Sequence, residues 1–175
     1  MRTRIILFLW LFVCLSASGQ SNNVRQKVVE TYLSQIGINE ATGNNDGPEV
    51  EMYLRVVKQQ PGAPWCAAFV SWTYTVNGVV NPKSAWSPSY FPVNRVIYTR
   101  DGATIAIPMP GDVFGIYYAS KGRIAHVGFI HEWSSRIVIT VEGNTNDEGS
   151  REGTMVARKR RATRTIYKVS RYIDK

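Results

Sequence analysis

Apolar positions along the chain recur with two periods, and the change falls near Arg95. Before it the period is helical. Val24, Val28, Val29, Tyr32, Leu33 and Ile36 make one stripe, which predicts a helix from Ser21 to Ile36. Ser21, Asn22 or Asn23 would cap that helix and Gly37 would end it. Asp46-Gly47-Pro48-Glu49 has the spacing of a capping box and opens a second helix with Val50, Tyr53, Leu54 and Val57 inward. The cluster Asn44, Asn45, Asp46 and Glu49 also offers oxygen ligands for calcium, but it lacks the spaced carboxylates of a calcium loop, so capping is the preferred reading. A third helix is expected after Pro61, Gly62 and Pro64, with Pro64 in its first turn. Cys66, Phe69, Val70 and Thr73 mark its apolar face, and Asn77-Gly78 is its stop.

From Arg95 onward the pattern is that of strands. Val96–Tyr98 and Thr104–Ile107 flank Asp101-Gly102 and read as a hairpin. Further strands are predicted over Asp112–Tyr118, Arg123–Trp133, Arg136–Glu142, Met155–Arg158 and Thr165–Val169, with a Gly/Asn-rich loop from Gly143 to Gly153. Helices first and a meandering sheet afterwards imply an α+β domain of N-terminal helices packed on an antiparallel β-sheet. Between the two halves, Asn81 to Asn94 has no clear period. Its aromatic residues Trp86, Tyr90 and Phe91 either line a binding groove or pack on the core.

The first residues change the picture of location. Met1-Arg2-Thr3-Arg4, an apolar run from Ile5 to Leu15 and Ser16-Ala17-Ser18-Gly19 have the layout of a secretory leader. The apolar run is too short for a membrane span. The expected division is a leader at 1–19 and a single domain at 20–175, with the product secreted or periplasmic. Val13 before Cys14 argues against lipid attachment. The formal charge is +8, and loss of Arg2 and Arg4 from it leaves +6. Such a charge suits an anionic partner such as cell-wall polymer, or serves simply for solubility. No nucleic-acid motif is present, and neither stable membrane insertion nor a cofactor or metal is expected. A monomer is expected.

The sequence has two cysteines, and loss of Cys14 with the leader leaves Cys66 without a disulfide partner inside the chain. A cysteine in the first turn of a helix feels the positive end of the helix dipole, which favours thiolate over thiol. A free cysteine is also a common core residue, so the helix alone leaves nucleophile and core residue open. Both histidines lie in one predicted strand. Alternation puts Ile124, His126, Gly128 and Ile130 on one face and Ala125, Val127, Phe129 and His131 on the other. At most one histidine therefore serves a given site. Gly128 beside His126 would leave room for a helix to approach. A hairpin at Ser134-Ser135 would bring Glu142 or Asn144 beside His126. Thiol, imidazole and a carboxylate or amide behind it are the parts of a cysteine hydrolase.

Trp65-Cys66-Ala67-Ala68-Phe69-Val70, Pro110-Gly111-Asp112-Val113, Ala125-His126-Val127-Gly128 and Glu142-Gly143-Asn144 occur in the order seen in CHAP domains. The stretch from about Asp46 to the C-terminus thus resembles these cysteine, histidine-dependent amidohydrolases and peptidases of the papain-like superfamily. The resemblance implies a papain-like fold, with Cys66 as nucleophile, His126 as base, Glu142 as orienter and Asn144 as a supporting polar group. It also implies hydrolysis of amide bonds in bacterial peptidoglycan. Trp65, Trp86 and Tyr90 are expected to contact substrate. Many such domains carry glutamine before the cysteine, where this chain has Trp65. Oxyanion binding would then pass to backbone N–H groups such as that of Cys66, with Gln59 or Gln60 in reach. The competing readings are a non-catalytic wall-binding module on the same fold, and a thiol amidase or transferase acting on another peptide-like substrate.

Overall fold

A computed structural model of the protein describes residues 20–146 and 153–173. The leader, its cleavage site and Cys14 lie outside the described residues, as does 147–152 of the Gly/Asn-rich loop. Three helices are described: α1 over 20–34, α2 over Pro48–Val56 and α3 over Cys66–Val76. Six strands make one antiparallel sheet: β1 Val96–Thr99, β2 Val113–Tyr118, β3 Arg123–Trp133, β4 Ile137–Thr145, β5 Met155–Ala162 and β6 Lys168–Ser170. Their order in space is β1-β6-β2-β3-β4-β5. The fold is α+β. The expected meander holds from β2 to β5; β6 departs from it by entering between β1 and β2.

α3 is the centre of the molecule. Residues 66–74 are all buried, Ser71 and Thr73 included, so the helix is enclosed on every side where one buried face was expected. β3 and β4 pack on one side of it and α2 on another. Tyr53 of α2 contacts the rings of Trp65, Phe69 and Trp72, and Phe69 meets Phe129 of β3 edge-on. A second buried polar side chain bonds two polar groups of this helix, while Thr73 Oγ1 has no partner among the described residues. Tyr90 hydroxyl bonds Ser71 Oγ and donates to the Ala67 carbonyl at 3.1 Å. The opposite side of the sheet carries its own small core of Ile97, Phe114, Ile130, Val138, Ile166 and Val169.

Several local expectations are corrected. Ser21, Asn22 and Asn23 lie within α1 and do not cap it. Asp46 does not cap α2: the N-cap is Gly47, at φ 108°, and no side chain bonds the helix start. The Asp46 carboxylate instead closes the preceding loop, accepting from Thr42 N at 2.9 Å and Thr42 Oγ1 at 2.7 Å. A short side chain bonds the nearest free N–H, and here the turn offers one before the helix does. Among the described residues no group of three or more His, Cys, Asp and Glu side chains could hold a metal ion. Pro64 precedes the N-cap of α3, which is Trp65. The expected β hairpin at Asp101-Gly102 shrinks to one bridge, Tyr98 to Thr104. β1 takes β6 as its partner, while Ile105 and Ile107 remain 73 % exposed with no apolar surface to cover them.

The ends of the sheet are tied to the helices through buried Asp112, just before β2. Its carboxylate accepts from Arg171 Nη2 at 2.8 Å, Met109 N at 2.9 Å and Arg25 Nη1 of α1 at 3.3 Å. A buried carboxylate with several charge-assisted donors holds its neighbours in fixed register. Among the described residues no helix is long and apolar enough to cross a membrane.

Candidate active site

Cys66 is the first residue of α3, and the start of that helix is held from the sheet. Gly143 of β4 makes this approach possible: a Cβ there would lie 2.7 Å from Trp65 Cζ3 and 2.8 Å from Phe69 Cβ. Trp65 is fully buried and its indole N–H donates to Glu40 Oε1 at 2.7 Å. Its backbone N–H donates to Asn144 Oδ1 at 3.2 Å. Asn144 sits at the irregularity where β4 and β5 lose register, with φ 54°, a conformation that asparagine tolerates better than most residues. Its amide N–H groups bond the Gly153 carbonyl at 2.7 Å and Asn45 Oδ1 at 3.0 Å. Asn144 therefore positions the helix that carries Cys66 and forms no bond with His126. The strand reaches it because β4 runs three residues past the expected end at Glu142.

His126 of β3 and Glu142 of β4 come together behind Cys66. His126 Nε2 bonds Glu142 Oε2 at 2.7 Å, with both side chains almost fully buried. The remaining ring nitrogen, Nδ1, has no partner of regular hydrogen-bond geometry among the described residues, and the ring interacts with the Cys66 thiol. The space Gly128 provides is filled by the sheet, not by a helix: a Cβ there would lie 2.9 Å from Phe114 Cε1 and 3.1 Å from Glu142 Cγ. His131 goes elsewhere, its Nδ1 3.0 Å from the Tyr32 hydroxyl of α1. Strict alternation fails beside Ala125, and register against β4 shifts again between Ile130 and Glu132. Register between β2 and β3 shifts beside Ala125, so Ile124 joins the core of Val127 and Phe129 rather than the face of His126.

The electrostatics of the group follow from burial and pairing. Burial pushes the Cys66 thiol up, but the His126 ring, Ser87 and the Val127 backbone N–H outweigh it and hold the thiol below its ordinary value. Burial pulls His126 down, and its bonds to Cys66 and Glu142 reverse this, lifting it to about 9. Burial raises Glu142 too, yet Arg161 and His126 together hold its carboxyl well below the usual carboxylate range. The three shifts favour one charge state, thiolate–imidazolium–carboxylate.

Two residues of this network were not anticipated from sequence. Arg161 of β5 donates to Glu142 Oε1 from Nε at 2.5 Å and to Oε2 from Nη2 at 2.6 Å, a bidentate grip. Thr140 Oγ1 also donates to Glu142. Arg161 sits in the basic run Arg158–Arg161, whose uniform charge hid its separate role. The pleat divides that run: Arg158 and Arg160 are exposed, while Lys159 and Arg161 turn inward. β5 extends past Arg158 and sets Arg161 opposite Val138, on the face shared by Thr140 and Glu142, from where its long side chain reaches the carboxylate.

Cys66 is 8 % exposed and lines a cleft of about 250 Å³. Gln59, Trp86, Ser87, Arg123 and Asn144 are among the side chains that line it. Ser87 Oγ is 3.8 Å from the thiol sulfur. Trp86 is 52 % exposed and forms an outer wall. Trp65 and Tyr90, expected to contact substrate, are both fully buried; they build the start and flank of α3 instead. The correction has one cause: both have polar atoms whose partners lie inside the fold, Glu40 for Trp65 and Ser71 for Tyr90. Backbone N–H groups at the start of α3 have no acceptor within the helix, which leaves donors next to the sulfur.

No protein-family model, curated protein or solved structure matches the chain.

Proposed function

We propose that the protein is an exported, papain-like cysteine hydrolase of the CHAP type that cleaves amide bonds of bacterial peptidoglycan. The observation that carries this reading is the buried relay Cys66–His126–Glu142 at the floor of an open cleft. A structural cysteine needs neither a charged histidine beside it nor a cleft above it. The peptidoglycan substrate and the exported location rest on the sequence resemblance, the leader and the basic charge of the chain.

The chemistry follows the order of the groups. Cys66 thiolate attacks the carbonyl carbon of the amide, forming the C–S bond as the carbonyl becomes an oxyanion. N–H groups at the start of α3, with Gln59 at the cleft wall, face that oxygen. The tetrahedral intermediate collapses, the C–N bond breaks, and His126 gives its proton to the departing amine. Neutral His126 then removes a proton from water, which attacks the thioester; thiolate leaves and the carboxylic acid product is released. Glu142, pinned by Arg161 and Thr140, holds the ring orientation and stabilises imidazolium at each stage.

Digestion of purified sacculi, with released fragments weighed by mass spectrometry, tests the reading. New amine and carboxyl ends should appear with the unaltered protein. They should vanish with Cys66→Ala and with His126→Ala, and persist with His131→Ala. Loss of either proton or nucleophile partner should cost about 10²–10⁴-fold or more. Binding to sacculi with no cleavage would favour a wall-binding module, and cleavage confined to small peptides would favour an amidase of another substrate.

A further inference from the structure

We infer that Arg123 and Trp86 form a carboxylate-binding subsite, so that the amide-bearing substrate carries a free carboxylate close to the scissile bond. This rests on the reading that the cleft accepts a peptide. The two side chains line the same cleft as Cys66 and come from separate parts of the chain: Arg123 begins β3 and Trp86 precedes the short 3-10 turn Ser87–Tyr90. The guanidinium lies over the indole, 4.0 Å from the ring centroid. That stacking fixes the plane of the fork without using its N–H donors. One donor is used by the Ile124 carbonyl at 3.0 Å. Among the described residues no carboxylate pairs with Arg123, whereas Arg25, Arg100, Arg158, Arg161 and Arg171 all have one.

The cleft lining has one cation, Arg123, and no acidic side chain. An oriented guanidinium with free N–H groups on an uncharged cleft wall matches a planar carboxylate in two parallel bonds. A stem-type peptide has such a group beside an amide when its glutamate α-carboxylate is free, and lacks it when that group is a carboxamide. Arg123 is thereby a specificity-determining residue, selecting free acid over amide.

The test uses the full chain with Cys66→Ala, so that nothing turns over. A tripeptide with a free glutamate α-carboxylate and its α-carboxamide twin are titrated against it, followed by the Trp86 indole N–H resonance. The acid should bind about 10-fold more tightly than the amide, as charge-assisted bonds are roughly twice as strong as neutral ones. Arg123→Gln should bring the ratio to within about 2-fold, and Arg123→Lys should fall between, having charge without the fork. Equal affinity for the two peptides, no binding of either, or a preference that survives Arg123→Gln overturns the subsite. Incubating the same peptides and sacculi with the Cys66 protein separates the two ideas. If nothing is cut while the acid preference persists, hydrolysis fails and the subsite stands.

Discussion

The thiol of Cys66 is buried almost completely, and burial alone would make it inert. What reverses this is a chain of partners, each polarised by the next: Arg161 and Thr140 on Glu142, Glu142 on His126, His126 on the sulfur. The expected consequence is a reactive thiol at low pH. Alkylation by iodoacetamide should show its inflection well below ~8.5, the ordinary thiol value. With His126→Ala the inflection should move upward, and a profile indistinguishable from free cysteine in the unaltered protein would contradict the pairing. His126 is raised, so the stability it contributes is full below about 6.5, its unfolded value, and is lost as pH rises through about 9. Arg161→Gln leaves a buried carboxylate short of its bidentate partner and should cost about 3 kcal/mol in urea unfolding. The same change removes a cation from beside the carboxylate that faces the imidazolium and should raise the His126 titration seen by NMR, which loss of a merely structural contact would leave in place. The sequence made Cys66, His126 and Glu142 visible because their residue types are chemically distinctive. It hid Arg161 within three other basic residues, since only strand pleat separates an inward arginine from an outward one.

At the scale of elements, the position of Cys66 depends on how closely α3 approaches β4. Gly143 and Asn144 set that distance from successive positions, one by having no side chain and the other by bonding the Trp65 N–H. Gly143→Ala should therefore destabilise the fold by about 1–3 kcal/mol, the usual range for overpacking, and slow alkylation of Cys66 as the helix start is displaced. A thermal melt and the alkylation rate measured on the same sample would check both halves; an unchanged rate in a destabilised variant would mean that the helix start is held by other contacts. Helix and strand periods were legible along most of the chain, and β3 has the bounds its sequence pattern indicates. Ends were less legible, because they depend on partners distant in sequence. β4 continues past Glu142 since β5 pairs with it as far as Thr145, and the outer arm at Thr104–Ile107 meets the free edge of β1 only through the Tyr98–Thr104 bridge and bonds to the Ile97 carbonyl. Trp65 and Tyr90 were misplaced for a similar reason. Aromatic residues beside a reactive cysteine look the same in sequence whether they face substrate or core.

For the molecule as a whole, the +8 formal charge of the chain is not spread as a uniform coat. Arg161 is consumed by Glu142, Arg25 and Arg171 by Asp112, and Arg158 is paired with Glu132 at 2.6 Å. Arg160 remains exposed on the outer side of β5. If attraction to an anionic wall helps the protein to its substrate, binding to sacculi should weaken from low to high salt, as exposed charges are screened over ~8 Å at physiological ionic strength. Arg160→Ser should reduce pull-down at low salt without altering thermal stability. A retention that ignores both salt and Arg160 would show that surface charge is not what attracts the protein.

The place of β6 also has a consequence in time. Lys168–Ser170 is the last strand in the chain, yet it lies between β1 and β2, bonding Val96 on one side and Val113 on the other through Ser170. Neither neighbour can complete its pairing until that short segment has been made, so β1 waits for a partner about seventy residues later in the chain. Contacts so far apart carry the loop-closure cost that slows folding. β2 to β5 can pair as they emerge, and they carry His126 and Glu142, so the relay can assemble before the sheet is closed. If those strands pair first, the edge of β2 that β6 covers stays open until Lys168–Ser170 is in place. That edge is where self-association would begin if synthesis stalled short of Lys168.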